Sequence, residues 1–97
     1  MLDNAIKEEL KIQKILPVFN TSELFLDVER LEIFLTKNPK IKNIEVTLRE
    51  KNSFEIAKEL KKRFTQINFG LGSILSEQDY LKGRDAGFIF FVSPGIV

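Results

Sequence analysis

Residues 41–50 read Ile-Lys-Asn-Ile-Glu-Val-Thr-Leu-Arg-Glu and carry the clearest strand pattern in the chain. Within the predicted strand at residues 41–48, Ile44, Val46 and Leu48 alternate with Asn43, Glu45 and Thr47, so successive side chains point to opposite faces. One face is apolar, and the other carries Glu45, Thr47 and, just beyond, Arg49. A polar face normally meets water in an antiparallel sheet, whereas both faces of a parallel sheet are covered. The neighbouring segments determine which case applies.

Strand and helix patterns alternate before this segment. Residues 15–19 form a short apolar run, which we predict to be the first strand because its Pro17 is tolerated at a strand start or a sheet edge. A helix with Asn20 as its cap then follows, and it ends before Pro39 because the residue preceding a proline avoids the helical region. Residues 2–15 have the spacing of a further short amphipathic helix.

The same alternation continues to the end of the chain. Residues 52–64 predict a second amphipathic helix with Asn52 as its cap, and residues 67–75 predict the third strand. A third helix begins at Ser76, and residues 88–92, Phe-Ile-Phe-Phe-Val, are apolar on both faces, as a buried parallel strand is. Strands and helices that alternate with a period of about 25 residues predict a parallel sheet with right-handed crossovers.

The composition restricts the chemistry of the chain. Its 97 residues are 43% hydrophobic, which suits a single domain with a modest core. The net charge of +1 gives no global attraction to nucleic acid or to an anionic membrane, so we expect neither as a partner. Histidine and cysteine are both absent, which excludes thiolate metal sites, cysteine nucleophiles and the usual base of a serine triad. Without a signal-peptide pattern, a long apolar run or cysteine, we predict a cytoplasmic location.

Unusual residues gather at the carboxyl ends of three predicted strands, where parallel α/β folds form their sites. The second strand ends in a carboxylate, a hydroxyl and a guanidinium, and the other two end in segments rich in glycine and serine. The residues are Glu45, Thr47 and Arg49, then Gly70, Gly72 and Ser73, and finally Ser93, Pro94 and Gly95.

These residues leave two interpretations open. Arg49 offers a planar fork of donors to a carboxylate or phosphate, and Glu45 could carry protons with a pKa that burial raises and the Arg49 charge lowers. The same residues could instead form a structural ion pair or a polar cluster that closes the fold. Gly70 and Gly72 leave room either for a ligand or for close packing of a neighbouring strand. The Ser-Pro-Gly segment at 93–95 also fits a simple turn.

Together the motifs resemble the bacterial class I aldolases that cleave 2-dehydro-3-deoxy-6-phosphogluconate or 4-hydroxy-2-oxoglutarate. In that family the second strand reads Glu-Val-Thr-Leu-Arg, as residues 45–49 do. The third strand has Gly-Ala-Gly-Thr, where residues 70–73 read Gly-Leu-Gly-Ser. The fourth ends Ala-Gly-Ala-x-Phe followed by Ser-Pro-Gly, where this chain has Ala-Gly-Phe at 86–88 and Ser-Pro-Gly at 93–95. The resemblance implies a (β/α)8 TIM barrel, of which residues 1–97 form a single partial domain, the N-terminal half, because a complete barrel needs about 200 residues or more.

The resemblance also implies roles for individual residues. Glu45 would be the general acid and base, Arg49 would bind the carboxylate of the pyruvyl moiety, and Ser73 would hydrogen-bond the keto acid. The reaction would be a retro-aldol cleavage that yields pyruvate and an aldehyde without a cofactor. The remaining substrate-binding positions are Thr47, Gly72 and Pro94.

One part of the family's machinery is not matched in this chain. Its nucleophile is a lysine on a later strand, and no lysine here lies at the carboxyl end of a predicted strand. We therefore expect the 97-residue chain to be inactive alone, and to pair with a missing half or form a homo-oligomer, a trimer by resemblance. The apolar strand at 88–92 would otherwise be an unpaired edge.

Two other functions remain open. The first is a non-catalytic half-barrel that self-associates and at most binds a small carboxylate at Arg49. The second is a small flavodoxin-like phosphate binder, which depends only on the Gly-Leu-Gly-Ser segment at 70–73.

Overall fold

The computed structural model describes residues 15–74 and 76–92, and within them a single sheet of four parallel strands alternates with three helices. The predicted helix at 2–15 and the Ser-Pro-Gly segment at 93–95 lie outside the described residues. In chain order the elements are β1 (Val18–Asn20), α1 (Leu24–Lys37), β2 (Asn43–Thr47), α2 (Ser53–Arg63), β3 (Asn68–Gly72), α3 (Glu77–Asp85) and β4 (Phe91–Val92).

The strands lie side by side in their sequence order, β1-β2-β3-β4, and each pair is parallel. This arrangement is that of consecutive βα units in a barrel, so the predicted fold class is confirmed. A flavodoxin-like sheet instead places its second strand on the outer side of its first. The flavodoxin-like prediction is therefore wrong.

The strands are shorter than the sequence predicted, most clearly at the third and fourth. β3 ends at Gly72 because Ser73 adopts a left-handed conformation, with a φ of 62°, that turns the chain out of the sheet. β4 begins only at Phe91, since the Phe88 backbone N–H bonds to the Gly83 carbonyl at the end of α3 (3.1 Å) rather than to a strand. Pairing with a neighbouring strand thus determines which part of an apolar run is a strand, and Ile89 and Val92 of this run are exposed rather than buried.

One of the three predicted helix caps is confirmed. The Ser76 hydroxyl accepts a 3.1 Å hydrogen bond from the backbone N–H three residues later, at the start of α3. The prediction for Asn20 is wrong, because Asn20 is the last residue of β1 and α1 begins only after Glu23. Asn52 does stand at the cap position of α2, but its side chain makes no capping hydrogen bond.

The apolar face of the sheet packs against the helices and forms the core. Val46 of β2 and Leu71 of β3 are fully buried there, together with Leu31 of α1 and Leu60 of α2. Complete burial of such a side chain stabilises the fold by about 1.5–3 kcal/mol. No helix within the described residues has the length and apolar character needed to cross a membrane.

Both edges of the sheet are unpaired within the described residues. β1 pairs only with β2, and β4 pairs only with β3. Val18 on the first edge is 55% exposed and Val92 on the second is 36% exposed. Apolar strand edges of this kind invite pairing with another chain or another segment.

Candidate active site on the inner face of the sheet

The face of the sheet opposite the helices is called the inner face here, and it is defined by Asn43, Glu45 and Thr47 of β2 with Gly70 and Gly72 of β3. The register places Glu45 beside Gly70 and Thr47 beside Gly72. Because the strands are parallel, the polar residues of β2 and the glycines of β3 point to the same side. The inner face therefore joins two of the three segments that the sequence had singled out.

Glu45 leans along the sheet toward the carboxyl ends of the strands. Its direct neighbour is Gly70, but its carboxylate lies against Gly72, two residues further along β3. A Cβ at Gly72 would overlap Oε2 and would lie 2.6 Å from Cδ and 3.0 Å from Cγ of Glu45. Glycine is thus required at position 72 by the space that the carboxylate occupies.

Phe90 occupies the equivalent space above Gly70. A Cβ on Gly70 would overlap the Phe90 ring, which is fully buried and reaches the inner face from the segment just before β4. Gly70 and Gly72 of β3 therefore leave room for two side chains, the Phe90 ring from the segment before β4 and the Glu45 carboxylate from β2. Sequence reasoning missed Phe90 as a site residue; the available signal was its place in the family's Ala-Gly-Ala-x-Phe motif.

Burial sets the acidity of Glu45. Its side chain is 9% exposed, and loss of solvent raises its pKa above the ordinary value of 4.5. The lowering by Arg49 that the sequence predicted is not found, because Arg49 lies exposed two residues beyond β2 and forms no ion pair with Glu45. The structural ion pair left open by the sequence is therefore excluded for these two residues.

Polar groups surround this carboxylate along the inner face. Thr47 is 4% exposed and lies one pleat closer to the carboxyl edge. At the amino-terminal end, Asn68 Nδ2 donates a 3.1 Å hydrogen bond to Asn43 Oδ1. The amide pair fills that end of the face, whereas the carboxyl end leads to the loops that carry Arg49 and Ser73.

Ser73 follows Gly72 directly and is half-buried in its left-handed conformation. Such a conformation costs a non-glycine residue roughly 1–3 kcal/mol and is disfavoured further by a branched Cβ, so serine suits this backbone better than threonine would. The structure thus gathers Glu45, Thr47 and Gly72 with Ser73 adjacent. The assigned roles of these residues stay predictions, and Pro94 lies outside the described residues.

A groove of about 620 Å³ lies away from this face, between helices on the opposite side of the sheet. This groove is lined by Leu24, Asn52, Glu55, Ile56, Lys58, Glu59, Lys61, Lys62 and Ala86. The described residues hold no group of three or more acidic side chains suited to a metal ion.

Comparison with known proteins was informative for family and fold. A family model described as KDPG and KHG aldolase matches residues 6–97. The structure is similar to the crystal structure of 2-keto-3-deoxy-6-phospho-gluconate aldolase from Zymomonas mobilis ATCC 29191, with a TM-score of 0.70 and 28% sequence identity. The match covers 84% of this chain and 38% of that chain, so this chain spans well under half the length of that protein. No curated protein matches significantly.

Proposed function

This chain belongs to the KDPG and KHG aldolase family, and from that premise we propose that it supplies the proton-transfer and carboxylate-binding residues of a class I aldolase. The membership confirms the resemblance that the three motifs indicated. The proposed reaction cleaves 2-dehydro-3-deoxy-6-phosphogluconate or 4-hydroxy-2-oxoglutarate to pyruvate and an aldehyde, in the cytoplasm.

The buried carboxyl of Glu45 is the observation that supports this proposal most strongly. A general acid and base works best when its pKa lies near the working pH, and desolvation moves the pKa of Glu45 in that direction. The carboxylate also points toward the carboxyl ends of the strands, where barrels bind their substrates. An exposed surface glutamate would have neither property.

In the proposed mechanism, a lysine amine attacks the ketone of the substrate and forms a carbinolamine. Glu45, acting through water, protonates the departing hydroxyl, and an iminium results. Glu45 then accepts the proton of the C4 hydroxyl while the C3–C4 bond breaks and its electron pair moves into the iminium. The enamine takes a proton at C3, and water releases pyruvate. Arg49 holds the substrate carboxylate through its paired N–H donors.

The Schiff-base lysine is proposed to come from another part of the complete enzyme. No lysine of the described residues lies on a strand, and each belongs to a helix or to a loop. These lysines are Lys37, Lys40, Lys42, Lys51, Lys58, Lys61, Lys62 and Lys82.

Borohydride reduction in the presence of pyruvate tests this assignment, because it fixes an iminium as a stable adduct that mass spectrometry detects. We expect no adduct on the 97-residue chain and an adduct on the complete enzyme. In the complete enzyme, Glu45→Gln should lower turnover far more than it weakens pyruvate binding. A reduced adduct on the 97-residue chain would refute the external lysine, and unchanged turnover in the Gln variant would refute the role of Glu45.

A second candidate function is a non-catalytic half-barrel that self-associates. The two unpaired edges of the sheet favour it, because Val18 and Val92 leave apolar surface exposed beside open backbone groups. Pairing with the remaining part of the barrel or with further copies of this chain would cover both edges. Sedimentation of the purified chain distinguishes an assembly that covers these edges from a stable monomer.

A further inference from the structure

A buried pair of hydroxyl groups joins the loops that follow β1 and β2. Thr21 Oγ1 and Ser53 Oγ lie 2.8 Å apart, although 32 residues separate them in the chain. Thr21 is 7% exposed and Ser53 is fully buried. Both loops lie at the carboxyl end of the sheet, so this contact ties together two walls of the candidate site.

Ser53 also closes the turn that begins directly after Arg49. Its hydroxyl accepts a 2.9 Å hydrogen bond from the Glu50 backbone N–H. Its own backbone N–H donates to the Glu50 carbonyl at 3.1 Å. Although Ser53 is the first residue of α2, its hydroxyl therefore serves the preceding loop rather than capping the helix.

The backbone of Arg49 is consequently held on both sides. On one side, the Leu48 N–H donates to the Gly72 carbonyl at 3.0 Å, which fixes the end of β2 to β3. On the other side, the Glu50 N–H is held by the Ser53 hydroxyl. Between these anchors, the Arg49 side chain is exposed and forms no ion pair with another described residue.

We propose that Thr21 and Ser53 are positioning residues that hold the Arg49 backbone in place for binding the substrate carboxylate. The proposal depends on the proposed function, in which Arg49 binds that carboxylate. An arginine whose backbone is already fixed loses less conformational freedom on binding, and two fixed donors match a planar carboxylate. Removal of either hydroxyl should loosen the turn without touching Glu45.

The test uses the full 97-residue chain and five variants, the fifth being Arg49→Gln. Ser53→Ala and Thr21→Val each remove one hydroxyl of the pair, whereas Ser53→Thr keeps a hydroxyl at position 53. Ser76→Ala is the matched control, because it also removes a serine hydroxyl that accepts from a backbone N–H, but at the distant start of α3. Each variant is measured for NMR order parameters at Arg49 and for pyruvate affinity.

We expect Ser53→Ala and Thr21→Val to lower the order parameters of Arg49 and to weaken pyruvate binding about tenfold. Ser53→Thr adds a methyl at a fully buried position but keeps the hydroxyl, so Arg49 should stay more ordered than in Ser53→Ala. Ser76→Ala should leave Arg49 and the affinity unchanged. Unaltered order parameters at Arg49 in both hydroxyl-deleted variants would overturn the positioning role, whether or not pyruvate binds. Failure of Arg49→Gln to change pyruvate affinity would instead refute the proposed function itself.

Discussion

The Glu45 carboxylate lies against the α-carbon of Gly72, in the space that a Cβ would fill. The two residues belong to neighbouring strands, and the carboxylate sits diagonally from its own partner in the register, Gly70. The absence of a side chain at Gly72 therefore determines where the proposed proton carrier lies. This relationship can be tested separately from catalysis.

We expect Gly72→Ala to destabilise the chain by about 1–3 kcal/mol, as overpacking in a closed environment does. In a Glu45→Ala background the same substitution should cost clearly less, because the group that the new methyl meets is gone. Urea denaturation of the parent, both single variants and the double variant gives the coupling free energy. Equal costs in the two backgrounds would show that the carboxylate does not occupy this space.

The raised pKa of Glu45 predicts how stability depends on pH. Well below pH 4.5 the carboxyl is protonated in both states, so burial carries no penalty for a charge. As the pH rises through the folded-state pKa, the unfolded chain ionises more readily and the free energy of unfolding falls. Glu45→Gln cannot ionise, so its stability relative to the parent should increase from pH 4 to neutrality. A constant difference across that range would contradict burial of an ionisable group.

Asp27 supports the loop that carries Thr21 and Ser22. It is fully buried and accepts hydrogen bonds from the Ser22 N–H (2.8 Å) and the Ser22 hydroxyl (3.1 Å). Asp27→Ala removes a fully buried carboxylate and leaves the Ser22 N–H without this partner, so we expect a loss of about 1–3 kcal/mol in thermal or urea unfolding. The control is Asp85→Ala, an exposed carboxylate paired with Arg84 at 3.4 Å, which should change stability by less than about 0.5 kcal/mol.

The open edges of the sheet predict association in solution. Val18→Lys places a charge on the exposed edge of β1 and should reduce any self-association that sedimentation velocity detects. The matched control is Thr36→Lys, which adds the same charge on the exposed surface of α1, away from both edges of the sheet. Equal effects of the two substitutions would indicate that net charge, rather than edge pairing, controls association.

The sequence predicted the parallel sheet and its second strand well, because the alternation from Asn43 to Leu48 is strong and depends only on neighbouring residues. The Ser76 cap was found for the same reason. The features that were missed depend on pairing between distant segments. The Phe90 ring above Gly70 requires the register of the chain before β4 against β3, and that register has no local signature.

The relation between Glu45 and Arg49 shows the same limit. Both lie on one face by alternation, which left an ion pair open, but β2 ends at Thr47 and Arg49 continues into an exposed loop. Where a strand ends depends on its partners: the Leu48 N–H still reaches the Gly72 carbonyl, and the Ser53 hydroxyl then takes the Glu50 N–H. Sequence patterns consequently predict where a strand ends at a site less well than they predict the strand itself.

The central claim is that the inner face binds a 2-oxo acid through Arg49 beside Glu45. Titration of the 15N-labelled chain with pyruvate, followed by NMR, tests it most directly, with pyruvamide as the ligand that lacks the carboxylate. We predict saturable shifts of the amides of Thr47, Arg49, Gly72 and Ser73 with pyruvate, and none with pyruvamide or in Arg49→Gln. Equal shifts with both ligands, or shifts confined to the groove between the helices, would contradict the claim.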